Sequence, residues 1–93
     1  MNECVTRHLH IRGRVQGVGF RNYIEFKARQ LGVRGWVRNR SDGSVEAVVS
    51  GEPSAVDAII DCARRGPRAA LVSDVGISPA EGDFPGFEVR ATA

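Results

Sequence analysis

Residues Thr6-Arg7-His8-Leu9-His10-Ile11-Arg12-Gly13-Arg14-Val15-Gln16-Gly17-Val18-Gly19-Phe20-Arg21 decide how the chain folds, because the hydrophobic period changes inside them. Leu9, Ile11, Gly13 and Val15 alternate with His8, His10, Arg12 and Arg14, the period of a half-buried strand. From Phe20 onward the apolar residues recur at helical spacing, as Phe20, Ile24, Ala28 and Leu31, and Gly32 follows where a left-handed cap stops a helix. A strand over Arg7–Arg14 and a helix over Phe20–Leu31 are therefore predicted, joined by the loop Val15-Gln16-Gly17-Val18-Gly19-Phe20-Arg21. Two glycines let this loop turn sharply with no side chain in the way. Successive N–H groups can then converge at a helix N-terminus, an arrangement that attracts anions and phosphate above all. Arg21 falls in or beside the first helical turn, where a cation opposes the positive end of the macrodipole by roughly 0.3–1 kcal/mol. That conflict disappears when an anion lies between the helix end and the guanidinium.

Downstream, Val33–Asn39 and Val45–Ser50 are β-rich runs separated by Arg40-Ser41-Asp42-Gly43-Ser44, a connection with strong turn chemistry, and they should form a hairpin. Pro53 suits a first helical position, and Val56, Ile59, Ile60 and Ala63 form a second apolar stripe that Gly66-Pro67 ends. Leu71–Ile77 reads as a fourth strand, Ser78–Gly86 as a loop and Phe87–Arg90 as a short terminal strand. The order is βαββαβ with room for a fifth strand. Two helices with apolar stripes can cover one face of an antiparallel sheet, giving an α+β, ferredoxin-like two-layer α/β sandwich.

At 93 residues, with 42% hydrophobic and 26% charged residues, the chain suits a single domain over residues 1–93. The net charge is +2, and its 12 Arg and one Lys are dispersed rather than gathered into a nucleic-acid or membrane tail. No apolar stretch approaches the roughly 20 residues of a bilayer span, and the N-terminus lacks the apolar core of a signal peptide. A cytoplasmic location and a monomeric state are the expectations. Cys4 and Cys62 are too few and too far apart for a disulfide framework or a CxxC pair, so both are expected to be free thiols. His8 and His10 share a strand face but no third metal ligand accompanies them, which favours a solvent or sheet-packing role.

Familiar phosphate motifs fail against the loop. A Walker A sequence ends in Gly-Lys-Ser/Thr, whereas Gly19 is followed by Phe20 and Arg21. A dinucleotide fingerprint needs a third glycine where Asn22 stands, and a cysteine phosphatase needs a thiolate where Val15 stands. What the chain does resemble is the acylphosphatase family. Gly13-Arg14-Val15-Gln16-Gly17-Val18-Gly19-Phe20-Arg21 is similar to that family's first signature, and Gly35-Trp36-Val37-Arg38-Asn39-Arg40-Ser41-Asp42-Gly43-Ser44-Val45-Glu46 to its second. A weaker likeness, Gly66-Pro67-Arg68-Ala69-Ala70-Leu71-Val72, extends the resemblance over about Val5 to Val89. The Ser78–Gly86 loop and the stretch after Val89 follow the family pattern only loosely.

The resemblance implies an enzyme that hydrolyses the carboxyl-phosphate bond of acyl phosphates to a carboxylate and inorganic phosphate, with no metal or organic cofactor. Residue chemistry agrees. Phosphoryl transfer asks mainly for positioning and for charge stabilisation on the equatorial oxygens. The leaving carboxylate has a conjugate acid of pKa roughly 4, so it needs no proton donor at neutral pH. By the family pattern, Gln16, Gly17, Val18, Gly19, Phe20 and Arg21 bind phosphate, Arg21 is catalytic, and catalytic Asn39 orients the attacking water. Taken singly, Arg21 reads more readily as a surface partner of Glu25, and Asn39 equally as a turn opener. A binding module is the rival from another class. An RNA-recognition sheet would present paired aromatics, yet the first strand offers His8, His10 and Arg12 and the third Glu46 and Val48. No nucleic-acid or membrane partner is expected.

Overall fold

A computed structural model describes residues 3–93. Its elements run β1 (Val5–Arg14), α1 (Phe20–Leu31), β2 (Arg34–Asn39), β3 (Val45–Gly51), α2 (Pro53–Arg65), β4 (Leu71–Pro79) and β5 (Phe87–Val89). The strands form one sheet in the order β4-β1-β3-β2-β5. β1 lies between β3 and β4, antiparallel to both, and β3 pairs antiparallel with β2. Both helices pack on one face, as the two apolar stripes require.

The sheet is not purely antiparallel, and here the expectation is corrected. β5 joins β2 in parallel, with Gly35 opposite Phe87 and Val37 opposite Val89, so the sheet is mixed. The cause is topological. β4 occupies one edge, and the chain passes along the end of the sheet, by the start of β1 and β2, to the opposite edge, arriving beside β2 in the same direction. β4 also runs two residues past the predicted Ile77, to Pro79, and β5 stops at Val89 rather than Arg90.

The inward residues of the strands meet the helical stripes in a single core. Leu9 and Ile11 of β1, Val37 of β2, and Val45, Ala47 and Val49 of β3 face Phe20, Ile24 and Ala28 of α1 and Val56, Ile59 and Ala63 of α2, all buried. Each large aliphatic side chain taken out of water contributes roughly 1.5–3 kcal/mol, and this burial holds the two layers together. Cys62 is buried and Cys4 exposed, and both are free.

The uncovered face carries ion pairs. Glu46 of β3 accepts from Arg38 Nε at 2.7 Å and Arg40 Nη1 at 3.0 Å, and lies 2.7 Å from His8 Nε2. Burial acts to raise the Glu46 carboxyl, but these hydrogen bonds and the neighbouring guanidinium outweigh it and hold its pKa at about 2. Beside this cluster, Trp36 packs between the guanidinium groups of Arg38 and Arg90, 4.8 and 4.7 Å from its ring centroid. The register of β1 against β4 shifts between Arg12 and Gly13, where Ser73 of β4 is the extra residue, just before the glycine loop. Gly13 is required there because a Cβ would lie 2.2 Å from the Leu71 carbonyl oxygen.

Candidate active site

The loop from β1 to α1 is pinned at both ends by buried apolar side chains, Val15 and Phe20, while Gly17 and Gly19 between them are exposed. Gly17 and Gly19 have φ of 73° and 79°, and among the described residues no non-glycine residue has positive φ, so the backbone sign alternates along Gln16-Gly17-Val18-Gly19. That alternation is the conformation in which successive N–H groups line a concave anion nest. Gly19 is also the N-cap of α1, and it offers no side-chain oxygen to the helix. The first helical bond runs from Tyr23 N to Gly19 O at 3.0 Å. Among the described residues, the main-chain N–H groups of Gln16 through Asn22 have no acceptor within the chain. Helix N-termini ordinarily recruit a cap for such groups.

Arg21, half-buried at this helix end, forms no ion pair or hydrogen bond with the other described residues. The surface pairing considered for it does not occur. Glu25 instead pairs one turn on with Arg29, at 3.2 Å. Asn39 closes β2 opposite Val45, and its carbonyl accepts from Ala93 N at 3.1 Å. Its side-chain amide likewise has no partner among the described residues. Asn39 lines the same hollow as Val15, Gln16, Gly17, Gly19, Phe20, Arg21 and Asn22, with a volume of about 100 Å³. That exceeds the roughly 15 Å³ a single water needs. Larger and shallower hollows occur elsewhere, such as one of about 490 Å³ lined by Arg29, Phe84, Pro85 and Arg90. That hollow has no helix N-terminus in its lining, and its Arg29 and Arg90 are paired with Glu25 and Glu88, so chemistry rather than size selects the small one.

The structure thus brings together Arg21, Asn39 and the glycine loop, but it divides the work of Gln16. The side-chain amide of Gln16 donates to the carbonyls of Arg40 and Ser44, at 2.7 and 2.8 Å. Only its main-chain N–H is open to an anion. Phe20 is buried and Val18 packs on the core, so they too can offer only main-chain groups. Asn22, in the first helical turn, was not singled out by sequence reasoning as a site residue. Its position three residues past the N-cap was the available signal.

The turn that follows Asn39 is braced from several sides. Asp42 Oδ1 accepts from Ser44 N at 2.9 Å and Ser44 Oγ at 2.6 Å, and these bonds lower the Asp42 pKa. With the Ser44 proton given to Asp42, His10 Nε2 donates to Ser44 Oγ at 2.8 Å. His10 is therefore a bracing residue and His8 a partner of Glu46. Among the described residues, no helix is long and apolar enough to cross a membrane.

Comparison with known proteins agrees over nearly the whole chain. The family model described as Acylphosphatase matches residues 7–89. An acylphosphatase of Albidiferax ferrireducens is 56% identical over 86 residues, covering 92% of this chain and 94% of that protein. The solved structure of an acylphosphatase from Coxiella burnetii superposes with a TM-score of 0.91 at 37% identity, covering 96% of this chain and 94% of that one. Full-length HypF, solved in a phosphate- and nucleotide-bound form, matches with a TM-score of 0.90 at 25% identity, covering 99% of this chain and 12% of that one. A signature loop, a matching fold and a match over nearly the full length of the two acylphosphatases converge on one assignment: the chain belongs to the acylphosphatase family of hydrolases.

Proposed function

We propose that the protein hydrolyses acyl phosphates by a phosphate cradle and an oriented water, without a covalent enzyme intermediate. The observation that carries this reading is the run of unpartnered N–H groups from Gln16 to Asn22 beside an unpaired Arg21. These donors would hold the equatorial oxygens and stabilise the charge that develops on them in the transition state. Asn39 would accept from and donate to one water, fixing its direction of attack on phosphorus. An amide is no base, so the water's proton passes to a phosphate oxygen of the substrate. The carboxylate departs with the bonding electrons of the broken P–O bond.

What lines the hollow supports the absence of a covalent step. Its residues include no Cys, His, Ser, Thr, Asp, Glu or Lys, and hence no evident nucleophile or general acid. A carboxylate can leave without protonation, whereas the alkoxide of a phosphate monoester cannot easily do so. Mixed anhydrides are therefore the substrate class, with inorganic phosphate as the second product. N–H dipoles and Arg21 supply the positive field, so the scheme calls for no metal. We place this activity in a single monomeric domain acting in the cytoplasm.

The test is hydrolysis of benzoyl phosphate in excess chelator. Wild type should be active, and Asn39→Ala should fold normally yet turn over very slowly. Near-wild-type turnover by that variant would remove Asn39 from the mechanism.

A further inference from the structure

We infer that Gln16 is a positioning residue that sets the spacing between the phosphate cradle and Asn39 through its side chain. This rests on the acyl phosphate reading above. Gln16 is the first residue of the cradle in which the backbone sign begins to alternate, and its main-chain N–H is open. Its side-chain amide reaches across to the β2–β3 turn and donates to both the Arg40 and the Ser44 carbonyls. Those carbonyls stand at the two sides of the turn mouth, which is closed by Arg40 N donating to Ser44 O at 2.9 Å. Asn39 immediately precedes Arg40.

The same residue therefore touches the group that would hold phosphate and the turn that carries the water-orienting amide. Other braces on the turn tie it to strands and to the C-terminal stretch, not to the cradle: His10 reaches Ser44 from β1, Glu46 holds Arg40 from β3, and Ala93 accepts from Ser41 N and donates to the Asn39 carbonyl. Among the described residues, Gln16 supplies the direct side-chain hydrogen bonds from the cradle to the turn. Both its donors are spent on carbonyls, so its side chain has none left for phosphate. Phosphate grip and water alignment are thereby separable. Cutting the clasp leaves the amide nest and Arg21 intact while letting Asn39 drift, and a misplacement on the order of 1 Å can cost about 100-fold in rate.

The experiment compares wild type, Gln16→Met, Asn39→Ala and the double variant on benzoyl phosphate, with inorganic phosphate as competitive inhibitor. Gln16→Met keeps the length of the side chain and removes both donors. Its kcat should fall roughly 10- to 100-fold with phosphate inhibition unchanged. Because Gln16 acts through Asn39, the double variant should be no slower than Asn39→Ala alone. Multiplying losses, or weakened phosphate inhibition in Gln16→Met, would overturn the positioning role. A measurement on wild type needs no variant to fold: adding phosphate should shift the backbone amide resonances of residues 17–22 in a nitrogen-15 spectrum and leave the Gln16 side-chain amide in place. A shift of that side-chain signal as large as the backbone ones would make Gln16 a direct phosphate ligand instead. Inert wild type overturns the functional reading and this inference together, whereas active wild type with an unimpaired Gln16→Met overturns the inference alone.

Discussion

Arg21 and the pair Arg38 and Arg40 are the same residue type in opposite circumstances. Arg38 and Arg40 both donate to Glu46, whose carboxylate also meets His8, so both guanidinium groups find their partner within the fold. Arg21 stands at the positive end of a helix with no carboxylate beside it, the arrangement that local electrostatics disfavours. The difference separates two uses of charge. A guanidinium whose partner lies in the chain braces the β2–β3 hairpin, and one whose partner does not is, on the proposed function, poised for a ligand.

This contrast breaks if Arg21 proves structural or the Glu46 cluster proves catalytic. The largest effect expected is for Arg21→Ala, which should lose about 100- to 1000-fold or more in kcat/KM on an acyl phosphate, or roughly 2.7–4 kcal/mol of transition-state stabilisation. Its Tm should hold or rise slightly, since a cation leaves the helix N-terminus. A marked fall in Tm would reassign Arg21 to the scaffold.

Acid titration probes the other side. The Glu46 carboxyl is held at about 2 in the folded protein against 4.5 ordinarily. A depressed carboxyl contributes stability fully above its unfolded pKa and loses it as pH falls through the folded value. Stability on the order of 3 kcal/mol should therefore drain away between about pH 4.5 and pH 2. Urea unfolding across that window should show the loss in wild type and a flatter profile in Glu46→Gln. At neutral pH, Glu46→Gln itself should cost about 1.5–3 kcal/mol for its charged hydrogen bonds, with KM for acyl phosphate near wild type. A large rise in KM would draw the cluster into the site.

Smaller effects sharpen the picture. At Gly19 an added Cβ meets nothing within 4 Å, so Gly19→Ala should cost only the left-handed backbone penalty, about 1–2 kcal/mol by equilibrium unfolding. The exposed pair of Arg12 with Asp74, 3.1 Å apart, is the control. Arg12→Ala should change stability by less than about 1 kcal/mol, and a double-mutant cycle with Asp74→Ala would measure it.

Much of this was legible in the sequence, for identifiable reasons. The strand-to-helix change of period placed β1 and α1 with their loop, because periods of 2 and 3.6 are local properties. Arg21 and Asn39 were found as site candidates because each sits in a motif with fixed spacing. β5 was foreseen but its direction was not. A three-residue strand carries no period that tells which neighbour it joins, and the crossing that sends it to β2 is decided by the whole sheet. The Gln16 bonds to Arg40 and Ser44 and the contact of His8 with Glu46 were equally hidden. They join residues 24, 28 and 38 positions apart, and nothing in a glutamine or glutamate announces a partner at that distance.

The uncapped start of α1 has a consequence for how the molecule breathes. With Gly19 contributing no side-chain oxygen, the amides ahead of Tyr23 are left to solvent for their hydrogen bonds, or, on the proposed function, to an anion. Substrate or product phosphate would then complete the helix, slowing deuterium exchange in that first turn and raising the melting temperature by mass action. At 100 times the dissociation constant the gain is about 2.7 kcal/mol. A phosphate-dependent thermal shift in wild type, abolished in Arg21→Ala, would let the fold's own endurance report occupancy of the cradle.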